Sequence, residues 1–151
     1  MITAWRLCSA KRAAAAFDGR GAERYPGRWN LTGVRVAYAA ESRSLAALET
    51  LVNAGEREVL TAADWVAIPV EFDRAQVYVP ARFPSDWRLV PAPESTRKLG
   101  SDWAARKELP VMRVPSAVTL GEFNYVLNPL HPDFGTLRIG KPEPFKFDTR
   151  V

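Results

Sequence analysis

Glu49 stands where a carboxylate is costly. In the segment SLAALETLVNA, Leu45, Leu48 and Val52 recur at helical spacing. Glu49 follows Leu45 by four and precedes Val52 by three, so it falls on the same apolar stripe. A carboxylate facing a core must be paired or used. Two readings fit the pattern, a structural ion pair with a nearby arginine or a functional carboxylate, because perturbed carboxylates occur in both settings.

A second cluster, Gly27-Arg28-Trp29-Asn30, follows Tyr25-Pro26. An arginine, an indole and an amide side by side could hold a phosphate, an aromatic base and a polar edge. The same residues also suit a structural turn in which Trp29 plugs the core. Tyr38 comes shortly after and reads first as a core tyrosine whose hydroxyl needs a partner. Ser116 is a polar residue inside the apolar run VPSAV. There is no GxSxG elbow, and the only histidine, His131, sits in the turn-like stretch NPLHP, which disfavours a serine-hydrolase triad. With one histidine and one cysteine, a zinc site is disfavoured, and no metal is expected. Walker A and GxGxxG phosphate loops are absent.

The elements that must position these residues are short. Residues 3–8 suggest a first strand. Residues 18–33, rich in glycine and turn formers, read as a long irregular loop, and such loops are often functional. Residues 34–40 read as a buried strand. Ser42 or Ser44 can cap a helix reaching about Ala54, with Gly55 as its stop. Residues 65–72 alternate as a strand in which Pro69 implies an edge or a bulge. Residues 95–107 read as a helix that Gly100 could interrupt. Val111–Thr119 is apolar and β-branched, residues 123–127 form a short strand, and two more strands fall near 136–139 and 144–148. Many short strands with two or three helices imply a mixed α+β domain. Its 151 residues suit a single domain spanning 1–151.

Composition narrows the function classes. Hydrophobic residues make up 47% and charged residues 25%, as in globular proteins. The lone Cys8 allows no internal disulfide. No apolar run is long enough to span a bilayer, and the opening MITAWRLCSAKR lacks a signal-peptide core. A cytoplasmic protein without a membrane role is expected. The net charge of +4 arises in residues 1–50, which hold 8 basic and 4 acidic groups. Most of that excess is arginine, which suits phosphate or carboxylate recognition, although a solvated basic surface explains most of it equally well. A nucleic-acid-binding module would use the same charge. However, the basic residues form no run, and no nucleic-acid motif appears.

In order along the chain, the segments AWRL, FDGRGA, GRWN, YAAESRSLAALE, ESTRKLGSDW, VPSAV, EFNYVLNPLHPDF and PFKFDTRV resemble the RES domain family. This family is the toxin half of RES–Xre toxin–antitoxin systems and is named for an arginine, a glutamate and a serine, matched here by Arg28, Glu49 and Ser116. The resemblance covers essentially the whole chain. It implies an ADP-ribosyltransferase-like fold and an enzyme that acts on NAD as a substrate, with no retained cofactor. Cleavage could end in hydrolysis, phosphorolysis or ADP-ribosylation of a cellular protein. The resemblance also implies an Xre-type helix-turn-helix antitoxin that covers the active site and itself binds DNA, and a homodimer is compatible with it. A degenerate, non-catalytic antitoxin-binding protein is the competing reading, against which the intact Arg28, Glu49 and Ser116 weigh.

On this basis Glu49, Arg28 and Tyr38 are the catalytic candidates. Glu49 would stabilise positive charge on the ribose as the nicotinamide bond breaks. Arg28 would grip the pyrophosphate or place the ribose, and could orient Glu49 and keep it ionised. Tyr38 would pack on the nicotinamide ring. Ser116 would bond a ribose hydroxyl, the carboxamide or Glu49. Asn30, Arg6 and Asn124 complete the expected NAD contacts.

Overall fold

The computed structural model describes residues 1–151. Eight strands form one sheet: β1 (Ile2–Ser9), β2 (Ala37–Ala40), β3 (Trp65–Phe72), β4 (Val77–Tyr78), β5 (Val111–Pro115), β6 (Phe123–Leu127), β7 (Arg138–Ile139) and β8 (Glu143–Phe145). The order is β4-β5-β6-β2-β1-β3-β7, with β8 also paired to β3. Every pairing is antiparallel except β4 with β5. Four helices accompany the sheet: α1 (Arg20–Arg24), α2 (Arg43–Asn53), α3 (Arg57–Ala62) and α4 (Glu94–Arg106). The fold is α+β.

The sheet is split near its middle. β1 pairs with β3 along its whole length, from Ile2–Phe72 to Ser9–Trp65. It meets β2 at a single residue pair, Trp5–Ala40. The two halves therefore diverge, and backbone groups along the divergence need other partners.

Alternation along the strands separates two cores. On one face Ala4, Ala37, Ala39, Ile68, Val70, Phe72, Val111, Tyr125 and Leu127 pack with Phe17 and Leu137. On the other, Met112, Val114 and Val126 pack with Val36, Trp29 and the Trp103 and Ala104 face of α4. Leu45 and Ala46 of α2 cover Ala40, Trp5 and Leu7 on the same side.

α2 starts where Ser42 Oγ accepts the Leu45 N–H at 3.0 Å, and the chain turns away at Gly55, whose φ of +77° suits glycine. α4 ends at Lys107, in the left-handed region at φ 52°. Gly100 does not interrupt it. A Cβ there would overlap the Trp29 carbonyl, so glycine permits the close approach of α4 to the 27–31 segment.

The irregular 18–33 stretch contains α1, and residues 34–36 lie outside β2. α3, β4 and the 3₁₀ turn Ala10–Ala15 have too little periodicity to be read from the sequence. Pro69 lies on neither an edge strand nor a bulge: β3 has neighbours on both sides, with Pro69 in unbroken register opposite Trp5. Its carbonyl accepts from Gly140 N at 2.8 Å on the side away from β1. The missing N–H faces the same side, between the stretches of β3 paired to β7 and β8, so no ladder bond with β1 is lost.

Candidate active site

The divergence of β1 from β2 opens a cleft of about 1040 Å³, at the upper end of the range for small-molecule sites. Its floor holds Trp5, Tyr38 and Asn124, and α2 lines one wall with Ala46, Glu49 and Val52. Pro26–Arg28, Val90–Ala92 and Arg97 of α4 also border it. The charged side chains on its lining are Arg6, Arg28, Arg97 and Glu49. Three guanidinium groups against one carboxylate suit an anionic ligand that carries a region of positive charge.

Glu49 does not face a core. Beyond Leu45 the apolar stripe leaves the sheet: Leu48 is 43% and Val52 60% exposed, and Val52 borders the cleft. Half-buried Glu49 is fixed through one oxygen. Oε1 accepts from Ser116 Oγ at 3.0 Å and from Asn124 Nδ2 at 3.1 Å. Oε2 accepts nothing from the protein and remains available at the cleft.

Ser116 is fully buried just beyond β5. Its Oγ accepts the N–H groups of Val118 at 3.1 Å and Thr119 at 3.0 Å. With both acceptor directions occupied, its proton is left for Glu49. Of the partners expected for Ser116, the structure shows Glu49, and the buried side chain is not among those that line the cleft. Asn124 follows from register. Ala40 pairs with Asn124, and Tyr38 with Val126, so Asn124 and Tyr38 share one face of the sheet two residues apart.

The 27–31 segment is tied down almost atom by atom. Gly27 N donates to Asn30 Oδ1 at 2.8 Å, Trp29 N to Tyr38 Oη at 3.0 Å, and Leu31 N to Ser101 Oγ at 2.9 Å. The Gly27 carbonyl accepts from Arg97 Nε at 3.1 Å. Any side chain at residue 27 would press on the Tyr38 ring, with a Cβ at 2.8–2.9 Å from its atoms.

Asn30, expected to touch NAD, is fully buried and fully engaged. Oδ1 also accepts from Tyr38 Oη at 2.6 Å, and Nδ2 donates to the Ala22, Leu31 and Val34 carbonyls. It shapes the loop from behind. The Tyr38 hydroxyl points away from the cleft into these two bonds, and burial pushes its proton affinity well above the ordinary phenol range. With its hydroxyl engaged by Trp29 and Asn30, Tyr38 borders the cleft through its ring.

Arg28 makes no ion pair with Glu49. Its Nη1 donates to the carbonyls of Trp87 at 2.9 Å and Leu89 at 2.6 Å, which hold it across the cleft. Burial lowers its pKa, Glu49 opposes this at longer range, and neighbouring Arg97 adds to the lowering. Arg6 reaches into the split, where Nη1 donates to the Tyr38 carbonyl at 3.0 Å. Its Nε is buried without a partner, and burial lowers its pKa as well. Arg97 was not among the sequence candidates. The signal lay in its spacing: it precedes Ser101 by four and Ala104 by seven, so it shares their packed face of α4, as Glu49 shares the stripe of Leu45.

Residues 3–148 match the family model for the RES domain. The chain is 36% identical to "Toxin Res" of Yersinia enterocolitica over 97% of both chains. It is 35% identical to "Prs ADP-ribosylating toxin" of Sphingobium sp., over 97% of this chain and 94% of that one. Its fold resembles a chain in a crystal structure of the M. tuberculosis MbcT–MbcA toxin–antitoxin complex, with a TM-score of 0.71 at 19% identity, covering 96% of this chain and 84% of that one. With its family match running almost from end to end and two relatives above one-third identity, the chain belongs to the RES domain family.

Proposed function

We propose that this protein is the enzymatic toxin of a toxin–antitoxin pair and that it cleaves the nicotinamide–ribose bond of NAD. The observation that carries this reading is Glu49: one oxygen is clamped by Ser116 and Asn124, and the other is free in a cleft that also presents three arginines. NAD matches that charge pattern, with a dianionic diphosphate at its centre and a pyridinium cation at one end. The names of the Yersinia and Sphingobium relatives point the same way, since an ADP-ribosylating toxin must break this bond in its donor.

In the reaction, the C1′–N bond of the ribose breaks and its electron pair goes to the pyridinium nitrogen, releasing neutral nicotinamide. No general acid is needed, which suits a cleft without a histidine. Positive charge grows on C1′ and the ring oxygen, and the free oxygen of Glu49 stabilises it. Arg28 holds the anionic part of the substrate, and the Tyr38 ring supplies a flat apolar surface for nicotinamide. The acceptor oxygen then bonds C1′, and the proton it sheds passes to bulk water. Water would yield ADP-ribose and orthophosphate a phosphorylated ADP-ribose. A protein side chain would yield a modified protein, which the name of the Sphingobium relative favours as the second reading.

The structural neighbour belongs to a toxin–antitoxin complex, which supports an antitoxin partner here. An Xre-type helix-turn-helix protein seated over the cleft is the form we propose. No helix of the molecule is long and apolar enough to cross a membrane. A cytoplasmic location, where NAD is at hand as substrate, is part of the proposal.

The test is nicotinamide release by purified, antitoxin-free protein, with the products identified in the presence and absence of phosphate and of cell extract. Glu49→Gln keeps an acceptor for Ser116 and Asn124, so it should fold normally while losing at least roughly a hundredfold in kcat. Wild-type protein that leaves NAD intact under all of these conditions refutes the proposal.

A further inference from the structure

Resting on the reading of this cleft as a dinucleotide site, we propose that Arg97 and Arg28 together form a clamp for phosphoryl oxygens, with Arg97 as a substrate-binding residue in its own right. Both side chains line the cleft. Neither takes part in an ion pair; those of the molecule involve Arg35, Arg43, Arg106 and Arg150. Both are nevertheless held in place by backbone carbonyls. Arg28 Nη1 is caught between Trp87 O and Leu89 O, and Arg97 Nε is fixed on Gly27 O, the residue immediately before Arg28. The Arg28 guanidinium is thus tethered to the 87–89 segment, and that of Arg97 to the backbone from which Arg28 itself projects.

This arrangement leaves specific donors open. Arg28 retains Nε and Nη2, and Arg97 retains both terminal nitrogens, without acceptors in the protein. Two like charges held close repel each other, as the lowering of the Arg28 pKa by Arg97 reflects. Carbonyl dipoles fix their positions without neutralising them. An anion between the two forks would cancel the repulsion and use the open donors in the bidentate geometry that arginine gives phosphoryl oxygens. Because the side chains are already immobilised, little rotamer entropy remains to be lost on binding. The contact between Arg97 and Gly27 also ties the clamp to the packed backbone: it depends on the same close approach of α4 that requires Gly100.

Two sources could supply the phosphoryl group: the diphosphate of the dinucleotide, or free orthophosphate acting as the acceptor. Calorimetric titration with inorganic pyrophosphate and with orthophosphate, at low salt, compares wild-type protein with Arg97→Gln, Arg97→Lys and Lys98→Gln. Lys98 is exposed on the next position of α4 and controls for the loss of one positive charge. Arg97→Gln should weaken pyrophosphate binding roughly tenfold or more, Arg97→Lys should recover part of it, and Lys98→Gln should leave it within about twofold.

In steady-state cleavage, a diphosphate clamp raises the KM for NAD in Arg97→Gln with little change in kcat. An acceptor clamp raises the KM for orthophosphate and leaves that for NAD unchanged. Either result supports the clamp and assigns its source. Pyrophosphate affinity unaffected by Arg97→Gln overturns it. So does a joint fall of melting temperature and kcat with both binding constants unchanged, which would make Arg97 a brace for Gly27. If wild-type protein does not cleave NAD, the dinucleotide reading fails, while the pyrophosphate titration still decides the clamp.

Discussion

Replacing Ser116 with alanine separates a side chain that touches substrate from one that acts through Glu49. Ser116 Oγ is the acceptor for two backbone N–H groups, at 3.1 and 3.0 Å, and the donor to Glu49 Oε1 at 3.0 Å. Alanine removes all three bonds at a fully buried position. Two amides without acceptors and one lost charge-assisted bond should cost about 2–4 kcal/mol, taking each unmade bond near the low end of its range because the amides are only partly buried. For a chain of this length that lowers the melting temperature by roughly 5–15 °C. Glu49 would keep only Asn124, and a carboxylate displaced by a fraction of an ångström should lose roughly 10- to 100-fold in kcat. The KM for NAD should stay within about twofold, because Ser116 does not line the cleft. The assays are thermal melting and nicotinamide release over a range of NAD concentrations. Adding Asn124→Ala should cost more than the two separate losses combined, since each bond alone still restrains the same oxygen. A raised KM with unchanged kcat would refute the reasoning by placing the hydroxyl on the substrate, and an unchanged melting temperature would refute the bonding scheme.

Three further outcomes follow from the same geometry. The buried Tyr38 phenol holds its proton to higher pH in the folded state than in the unfolded chain, so its contribution to stability is complete below about pH 10 and declines as pH rises beyond that. Denaturant melts at pH 9 and pH 11 should show a smaller alkaline loss for Tyr38→Phe than for wild type; equal losses would count against the burial of this hydroxyl. Gly100→Ala drives a methyl into the Trp29 carbonyl and should cost about 1–3 kcal/mol in a thermal melt, with weaker NAD binding as the 27–31 segment shifts. Asn30→Ala removes two acceptor and three donor contacts. It should destabilise by at least roughly 3 kcal/mol and speed amide exchange at Gly27; an intact fold with only a raised KM would instead return Asn30 to the substrate.

Much of the fold was legible because its signals are local. The cap at Ser42, the stop at Gly55 and the alternation in residues 65–72 are written within a few residues of where they act, and each element lies within a few residues of its expected bounds. α3 and β4 were not legible, being too short to show a period. The 34–36 segment, Val34-Arg35-Val36, alternates like a strand, yet Val36 packs on the Trp29 and Trp103 side without pairing, and no local pattern distinguishes the two. Pro69 correctly signalled a missing N–H, but whether that N–H faces a neighbour depends on where β7 and β8 end.

The candidate site divides along the same line. From its own sequence the chain declared Glu49 and Arg28 as anomalies, a carboxylate on an apolar stripe and an arginine in a loop of glycine, indole and amide. Their roles depended on contacts between residues far apart in sequence. Ser116 lies 67 residues and Asn124 75 residues from Glu49, and both reach the same oxygen. Arg28 is held by carbonyls 59 and 61 residues away, not by the carboxylate that periodicity suggested. Asn30, chosen as an NAD contact, is occupied behind the cleft with the Tyr38 hydroxyl, which thereby finds the partner that burial demands. The sequence determined which groups are available, because residue type and spacing are covalent facts. Only the tertiary structure decided which atoms remain free, because a donor or acceptor facing the ligand is one the rest of the chain has left unsatisfied.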